Sequence, residues 1–300
     1  MDYIVISTAV TDDMTLADGQ HMGKMLGGAG SYALCGIKLW SDNVTLVTGI
    51  GEDFAGFYKK WFANNQISME GLMIKDPFTA VSNVRYSFDG ERIETPQYGL
   101  DHYTKLEASP EEIYKFAQKA KGVYIFRDNN PQFWEKVLQI KQDCGFSLMW
   151  EINASCCVPA MKDSIRQIAS HIDVFSINRR EICSLFGAVK WEHAVSQLAE
   201  WGIPMLFVRL GAKGAVIVRD GRRYMIPSIP NAIAKDVTGG GNSSSAAVLY
   251  GYCEKFEPFA CGVMGSISAA YCIKQYGVPP IFSEIDRESA VNLREQMCKK

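Results

Sequence analysis

The sequence predicts an α/β fold with a largely parallel sheet covered by helices on both faces. Two observations predict it. Strand-like and helix-like segments alternate for most of the 300 residues, the order that repeated β-α units leave in a chain. Residues 205–210 read as a buried strand, as a sheet covered on both faces requires.

Taken in order, residues 3–7 read as a first strand, 30–40 as a helix, 44–50 as a strand and 54–64 as the next helix. Helices are expected at 110–120 and 131–142, with strands at 123–126 and 147–151. A helix through 165–169, a strand at 174–177 and helices at 180–186 and 191–201 follow. The strand at 205–210 leads into a hairpin within 211–229, turning at Asp220-Gly221. Helices at 241–254, 258–275 and 289–299 close the chain. One stretch breaks the pattern. Residues 79–98 alternate around Asp89-Gly90, a strong hairpin signal, and neither face is cleanly apolar. With residues near 9–19 they are expected to form a small β-structure projecting from the main sheet. No internal repeat or linker divides the chain, which reads as a single domain.

Composition narrows the function classes. Hydrophobic residues make up 47% of the chain, enough for a sizeable core. A formal net charge of -2 argues against a protein that binds nucleic acid or a membrane surface as a whole. Met1-Asp2-Tyr3-Ile4-Val5-Ile6-Ser7 has no basic region before its apolar run and reads as a strand rather than a signal peptide. The nine cysteines form no C-x-x-C pair, which suits buried free thiols in a reducing cytoplasm. His21, His102, His171 and His193 show no metal-ligand spacing.

The most informative segment is Asp236-Val237-Thr238-Gly239-Gly240-Gly241-Asn242, followed by the apolar helical run that starts at Ser243. Successive glycines let the backbone turn tightly and aim its N–H groups at one point. The helix adds its own unpaired N–H groups and the positive end of its dipole, so the pair forms an anion pocket. Tight strand–helix packing is the plain alternative. Gly27-Gly28-Ala29-Gly30 opens an earlier helix in the same way, with close packing as its alternative. Asn178-Arg179-Arg180-Glu181 follows a buried strand; the pair could hold hydrated Mg²⁺ or simply cap a helix. Leu210-Gly211-Ala212-Lys213-Gly214 runs a strand into a glycine turn, otherwise an ordinary loop.

In this order and spacing the segments resemble the ribokinase-like (PfkB) family of carbohydrate and nucleoside kinases over nearly the whole chain. Residues 27–40 are similar to its G-G signature and helix, and Gly51-Glu52-Asp53-Phe54-Ala55-Gly56 to its G-x-D-x-x-G segment. Asn178 to Glu181 match N-x-x-E, and Asp236 to Asn242 align with D-T-x-G-A-G-D. The resemblance implies a three-layer α/β/α sandwich with a small β-lid formed by about residues 9–20 and 75–105. It implies ATP and Mg²⁺, with Glu181 as the metal-associated residue. Gly239, Gly240 and Gly241 would form the anion hole, with Asn242 at the catalytic position. Asn178, Gly211, Gly214, Asp236, Thr238 and Ser266 would border the nucleotide. Gly27, Gly28 and one of Asp12 and Asp13, assigned as Asp13, would meet a sugar-like substrate. Pairing of two copies through the lid and a monomer with an exposed lid are both compatible with residues 79–98.

The chain also departs from the pattern. Asn242 stands where the family has its catalytic Asp, and an amide has no useful basicity. Ala29 and Tyr32 replace polar residues that sugar kinases often carry. Trp150-Glu151-Ile152-Asn153-Ala154-Ser155 resembles a D-x-N-x-R segment with Glu151 for the Asp and Ser155 for the Arg. Two functions follow. One is an ATP-dependent kinase for a sugar or similar polyhydroxylated molecule, with sluggish turnover expected. The other is a non-catalytic protein that binds a nucleotide or phosphometabolite and signals by lid closure.

Overall fold

The computed structural model describes residues 1–88 and 92–299. The Asp89-Gly90 turn expected from the sequence lies outside the described residues. A nine-stranded sheet is built from β1 (Tyr3–Ile6), β4 (Val44–Gly51), β5 (Leu72–Asp76), β8 (Gly122–Arg127), β9 (Ser147–Ile152), β10 (Val174–Asn178), β11 (Met205–Arg209), β12 (Ala215–Arg219) and β13 (Arg222–Ile226). Its order is β13-β12-β11-β10-β9-β8-β1-β4-β5. Every pair from β11 across to β5 is parallel. The β12–β13 hairpin extends the sheet antiparallel, turning at Asp220 and Gly221, both at positive φ. That is the backbone a two-residue hairpin turn demands.

Alternation along the strands sorts side chains to two faces. Ile4 and Ile6 join one core with Trp150, Phe175 and Val208. That face is covered by α4 (Pro110–Ala117), α5 (Pro131–Cys144), α6 (Lys162–Ala169), α7 (Arg179–Phe186) and α8 (Trp191–Ala199). Tyr3 and Val5 join the other with Leu46, Met149 and Phe207. Here α1 (Ala29–Lys38), α2 (Phe54–Asn64), α9 (Gly240–Cys253), α10 (Pro258–Ile273) and α11 (Glu284–Cys298) cover the sheet. The result is the expected three-layer sandwich. The last helix begins earlier than expected because Ser283 and Asp286 form a capping box.

The lid is a separate four-stranded sheet, ordered β3 (His21–Gly27), β2 (Val10–Thr15), β6 (Val81–Tyr86), β7 (Arg92–Pro96). β2 pairs β6 in parallel, and the remaining pairs are antiparallel. Two boundaries differ from expectation. β3 belongs to the lid, although its mixed HMGKMLG sequence shows no clean alternation. Residues 75 and 76 belong to β5 of the main sheet, and α3 (Leu100–Leu106) closes the segment as a helix.

Close approach of α1 and α9 positions the site. Gly36 lies so near α9 that a Cβ there would fall 2.1 Å from the Ser243 carbonyl oxygen. Helix propensity alone favours Ala over Gly by about 1 kcal/mol. Overpacking typically costs about 1–3 kcal/mol, so the close contact should win. Gly36→Ala is expected to lower the thermal unfolding midpoint, and a rise would show that the helices are not this close.

Candidate active site

The turn before α9 is built by Asp236. Its Oδ1 accepts from the Thr238 N–H at 2.9 Å and the Thr238 hydroxyl at 2.6 Å. The N–H groups of Lys235 and Asp236 donate to the Ile273 carbonyl, fixing the loop to α10. Gly239 then takes a left-handed conformation, φ 74°, and a Cβ on it would fall 2.0 Å from the Tyr32 ring. Only glycine meets both demands. Gly240 N–H makes a 3.3 Å bond to the Val237 carbonyl. The N–H groups of Gly239, Gly241 and Asn242 have no acceptor among the described residues. They are the free donors of a helix start, ready for an anion.

Beneath the turn lies a polar cluster. Glu151, 1% exposed, accepts from Tyr124 Oη at 2.7 Å, Asn242 Nδ2 at 3.1 Å and Arg209 Nη1 at 2.8 Å. Asn242 Nδ2 also lies 3.3 Å from Tyr124 Oη. Only the amide nitrogen can donate to a carboxylate, so Oδ1 of Asn242 is left without a protein donor. Burial pushes the Tyr124 phenol well above its usual range, and the Glu151 carboxylate adds to this; Tyr124 stays a donor.

Two cavities meet at this turn. One, of about 320 Å³, is largely apolar and is lined by Gly240, Gly241, Gly211, Gly214, Ile229 and Ser266 among others. The other, of about 590 Å³, lies under the lid and reaches Gly239, Asn242, Asp12, Gly28, Arg92 and Asn153. The free N–H groups therefore sit between an apolar pocket and a polar one, as transfer of a group from one ligand to another requires. The profile of the pfkB family carbohydrate kinases matches residues 1–283. The chain belongs to this family. It is 26% identical over 299 residues to the cytidine kinase of Thermococcus kodakarensis, covering 92% of this chain and 98% of that one. Its fold superposes on the adenosine kinase of Sinorhizobium meliloti with a TM-score of 0.79, at 19% identity over 97% of this chain and 98% of that chain. An Escherichia coli Ribokinase II structure in complex with ATP and Mg²⁺ also gives 0.79, at 15% identity over 97% and 99% of the two chains.

The residues expected at the nucleotide and catalytic positions of this pfkB chain fall into three groups. Gly239, Gly240, Gly241, Asn242, Asp236 and Thr238 come together at the turn, and Gly211, Gly214 and Ser266 line the apolar cavity. Ser266 donates to the Pro227 carbonyl at 2.9 Å, which holds α10 against that cavity wall. Asn178 and Glu181 line neither cavity. They form a capping box, with Glu181 Oε2 accepting from the Asn178 N–H at 2.7 Å. Burial raises the Glu181 carboxyl, and Arg209 opposes this.

Of the two candidate aspartates, Asp12 and not the expected Asp13 faces the lid cavity. Successive side chains on β2 point to opposite faces. Val10 and Asp12 face the lid cavity, whereas Asp13 turns away and meets His21 Nε2 at 2.5 Å. Gly27 makes room for this carboxyl, since a Cβ there would lie 1.8 Å from Asp12 Oδ2. The Asp12 carboxyl has no protein hydrogen bond among the described residues and opens on the cavity. Desolvation, aided by Glu94 and Asp236, pushes its carboxyl up from 3.8 to about 8. Arg92, Glu94 and Arg127, which no motif marked, complete the polar wall.

The Asp12 shift fixes the sign of a stability effect. Between pH 3.8 and about 8 the unfolded chain ionises Asp12 while the folded one keeps it protonated, so stability is lost as pH rises. Asp12→Asn removes that loss. It should raise the unfolding midpoint at pH 7 by several degrees, with the gain fading below pH 4. An equal gain at both pH values would rule out the ionisation argument.

Proposed function

We propose that this protein transfers the terminal phosphoryl group of ATP to a hydroxyl of a sugar or nucleoside. The observation that carries the reading is the set of free N–H groups at Gly239, Gly241 and Asn242, reached from both cavities. The nucleotide occupies the apolar cavity, its base against Ile229 and the α10 wall, its phosphates at Gly240 and Gly241. The acceptor lies under the lid, its hydroxyls met by Asp12, Asn153 and Arg92. ATP and Mg²⁺ in the Escherichia coli neighbour and the nucleoside activity in the name of the Thermococcus kodakarensis relative support the two assignments.

The acceptor oxygen bonds to phosphorus as the bond from phosphorus to the bridging oxygen of ADP breaks. Backbone N–H groups stabilise the charge on the transferring oxygens. Asn242 Oδ1 accepts from the attacking hydroxyl and aligns it. The hydroxyl proton leaves to a phosphoryl oxygen or to water, because the amide cannot take it. A loose transition state tolerates this, since positioning and charge stabilisation dominate phosphoryl transfer. A base contributes about 10²–10⁴-fold, so wild-type turnover should be slow.

The residues fit an ion bound mainly by phosphates and water, not an ion held by protein ligands alone. No group of acids, histidines or cysteines among the described residues could hold one. Glu181 has a second carboxylate oxygen free and is the residue that would reach a hydrated Mg²⁺, the usual manner for this ion. Bound there, Mg²⁺ would neutralise phosphate charge.

Turnover of Mg-ATP over a panel of sugars, nucleosides and polyols, with wild type and Asn242→Asp side by side, tests the reading. The new carboxylate would sit beside Glu151, which raises its pKa towards neutrality. The variant should turn over at least tenfold faster, with a rate that climbs with pH. Silence from both proteins, with ATP still bound, would favour the non-catalytic binding protein, to which the neutral, Glu151-tethered Asn242 also lends itself.

A further inference from the structure

Arg209 is the last residue of β11, opposite Asn178 on β10. Among the described residues it is the one charged side chain that lines the apolar cavity. A Cβ on Gly241 would lie 2.2 Å from Arg209 Nη1, so the guanidinium packs directly under the glycine turn. The Gly241 N–H, which lacks an acceptor, belongs to the same residue. An oxyanion seated on that N–H therefore lies against the guanidinium.

The guanidinium is held but not satisfied. Nη1 bonds Glu151 at 2.8 Å, whereas Nη2 is 3.6 Å from Glu181 Oε2, too far for a hydrogen bond. Nε is buried and has no partner. A guanidinium carries five donors, and buried polar groups are normally paired. Glu151 and Glu181 flank the guanidinium, and the Gly241 turn packs against its Nη1. Such a preset fork suits a phosphate, which arginine recognises in a bidentate manner.

We propose that Arg209 is a phosphate-binding residue for the nucleotide. Its free donors meet an oxygen of the terminal phosphates at Gly241, and it supplies a fixed positive charge that makes nucleotide binding less dependent on a divalent ion. The proposal rests on the nucleotide reading of the apolar cavity.

Calorimetric titration of ATP and of adenosine, each in EDTA and in Mg²⁺, separates the two. Wild type should bind ATP in EDTA within about tenfold of its affinity in Mg²⁺, an energy gap of about 1.4 kcal/mol or less. Arg209→Gln should weaken ATP binding in EDTA at least tenfold and leave adenosine within twofold. Arg209→Lys, which keeps the charge without the fork, should recover part of the loss. Should Arg209→Gln leave the glutamates unbalanced and unfold, Arg209→Gln/Glu151→Gln removes one charge of each sign and is read the same way. Unchanged ATP binding in the variants, or parallel loss of ATP and adenosine, overturns the proposal alone. Failure of wild type to bind either ligand overturns the nucleotide reading and the proposal with it.

Discussion

The site depends on the buried carboxylate of Glu151. It accepts from Tyr124 on β8, Arg209 on β11 and Asn242 on α9, and so ties distant parts of the sheet to the first turn of the helix. A buried charge with its partner removed costs several kcal/mol, so these donors are not interchangeable ornaments. Their convergence sets where the helix begins relative to the sheet. That in turn places the free N–H groups at the carboxyl ends of the parallel strands, the usual ligand edge of an open α/β sheet.

The same carboxylate explains the amide at 242. A carboxylate in its place would face Glu151 across the distance now spanned by a 3.1 Å hydrogen bond. The amide donates there instead, and Glu151 and Arg209 remain balanced. With an amide at 242, Glu151 meets three donor side chains and no second carboxylate. In the proposed reaction, positioning and charge stabilisation, the larger part of phosphoryl transfer, do not require a base at 242.

Much of this was legible in the chain. The β-α alternation yielded the sandwich, and the glycines before Asn242 yielded the tight turn with its free N–H groups, because both depend on local patterns. Period-2 alternation could have separated Asp12 from Asp13, had the strand boundaries been known. β3 and β5 escaped because a half-exposed strand such as His21–Gly27 leaves no periodic apolar signal. Asn178 and Glu181 fit a metal pattern as well as the commoner capping pattern, and the coordinates show the cap formed. Arg209 is the plainest omission. An arginine at the end of an otherwise apolar strand signals a buried charge, but its partners Glu151 and Glu181 lie far away in sequence.

In the proposed reaction the N–H groups of Gly239, Gly241 and Asn242 hold the phosphoryl group in flight between two ligands. A crystal structure with ADP, aluminium fluoride and an acceptor tests it directly. The fluoride mimic is expected between the two cavities, with its ligands about 2.7–3.1 Å from those nitrogens. ADP bound in the apolar cavity with the mimic absent from the turn, or lodged elsewhere, would contradict it.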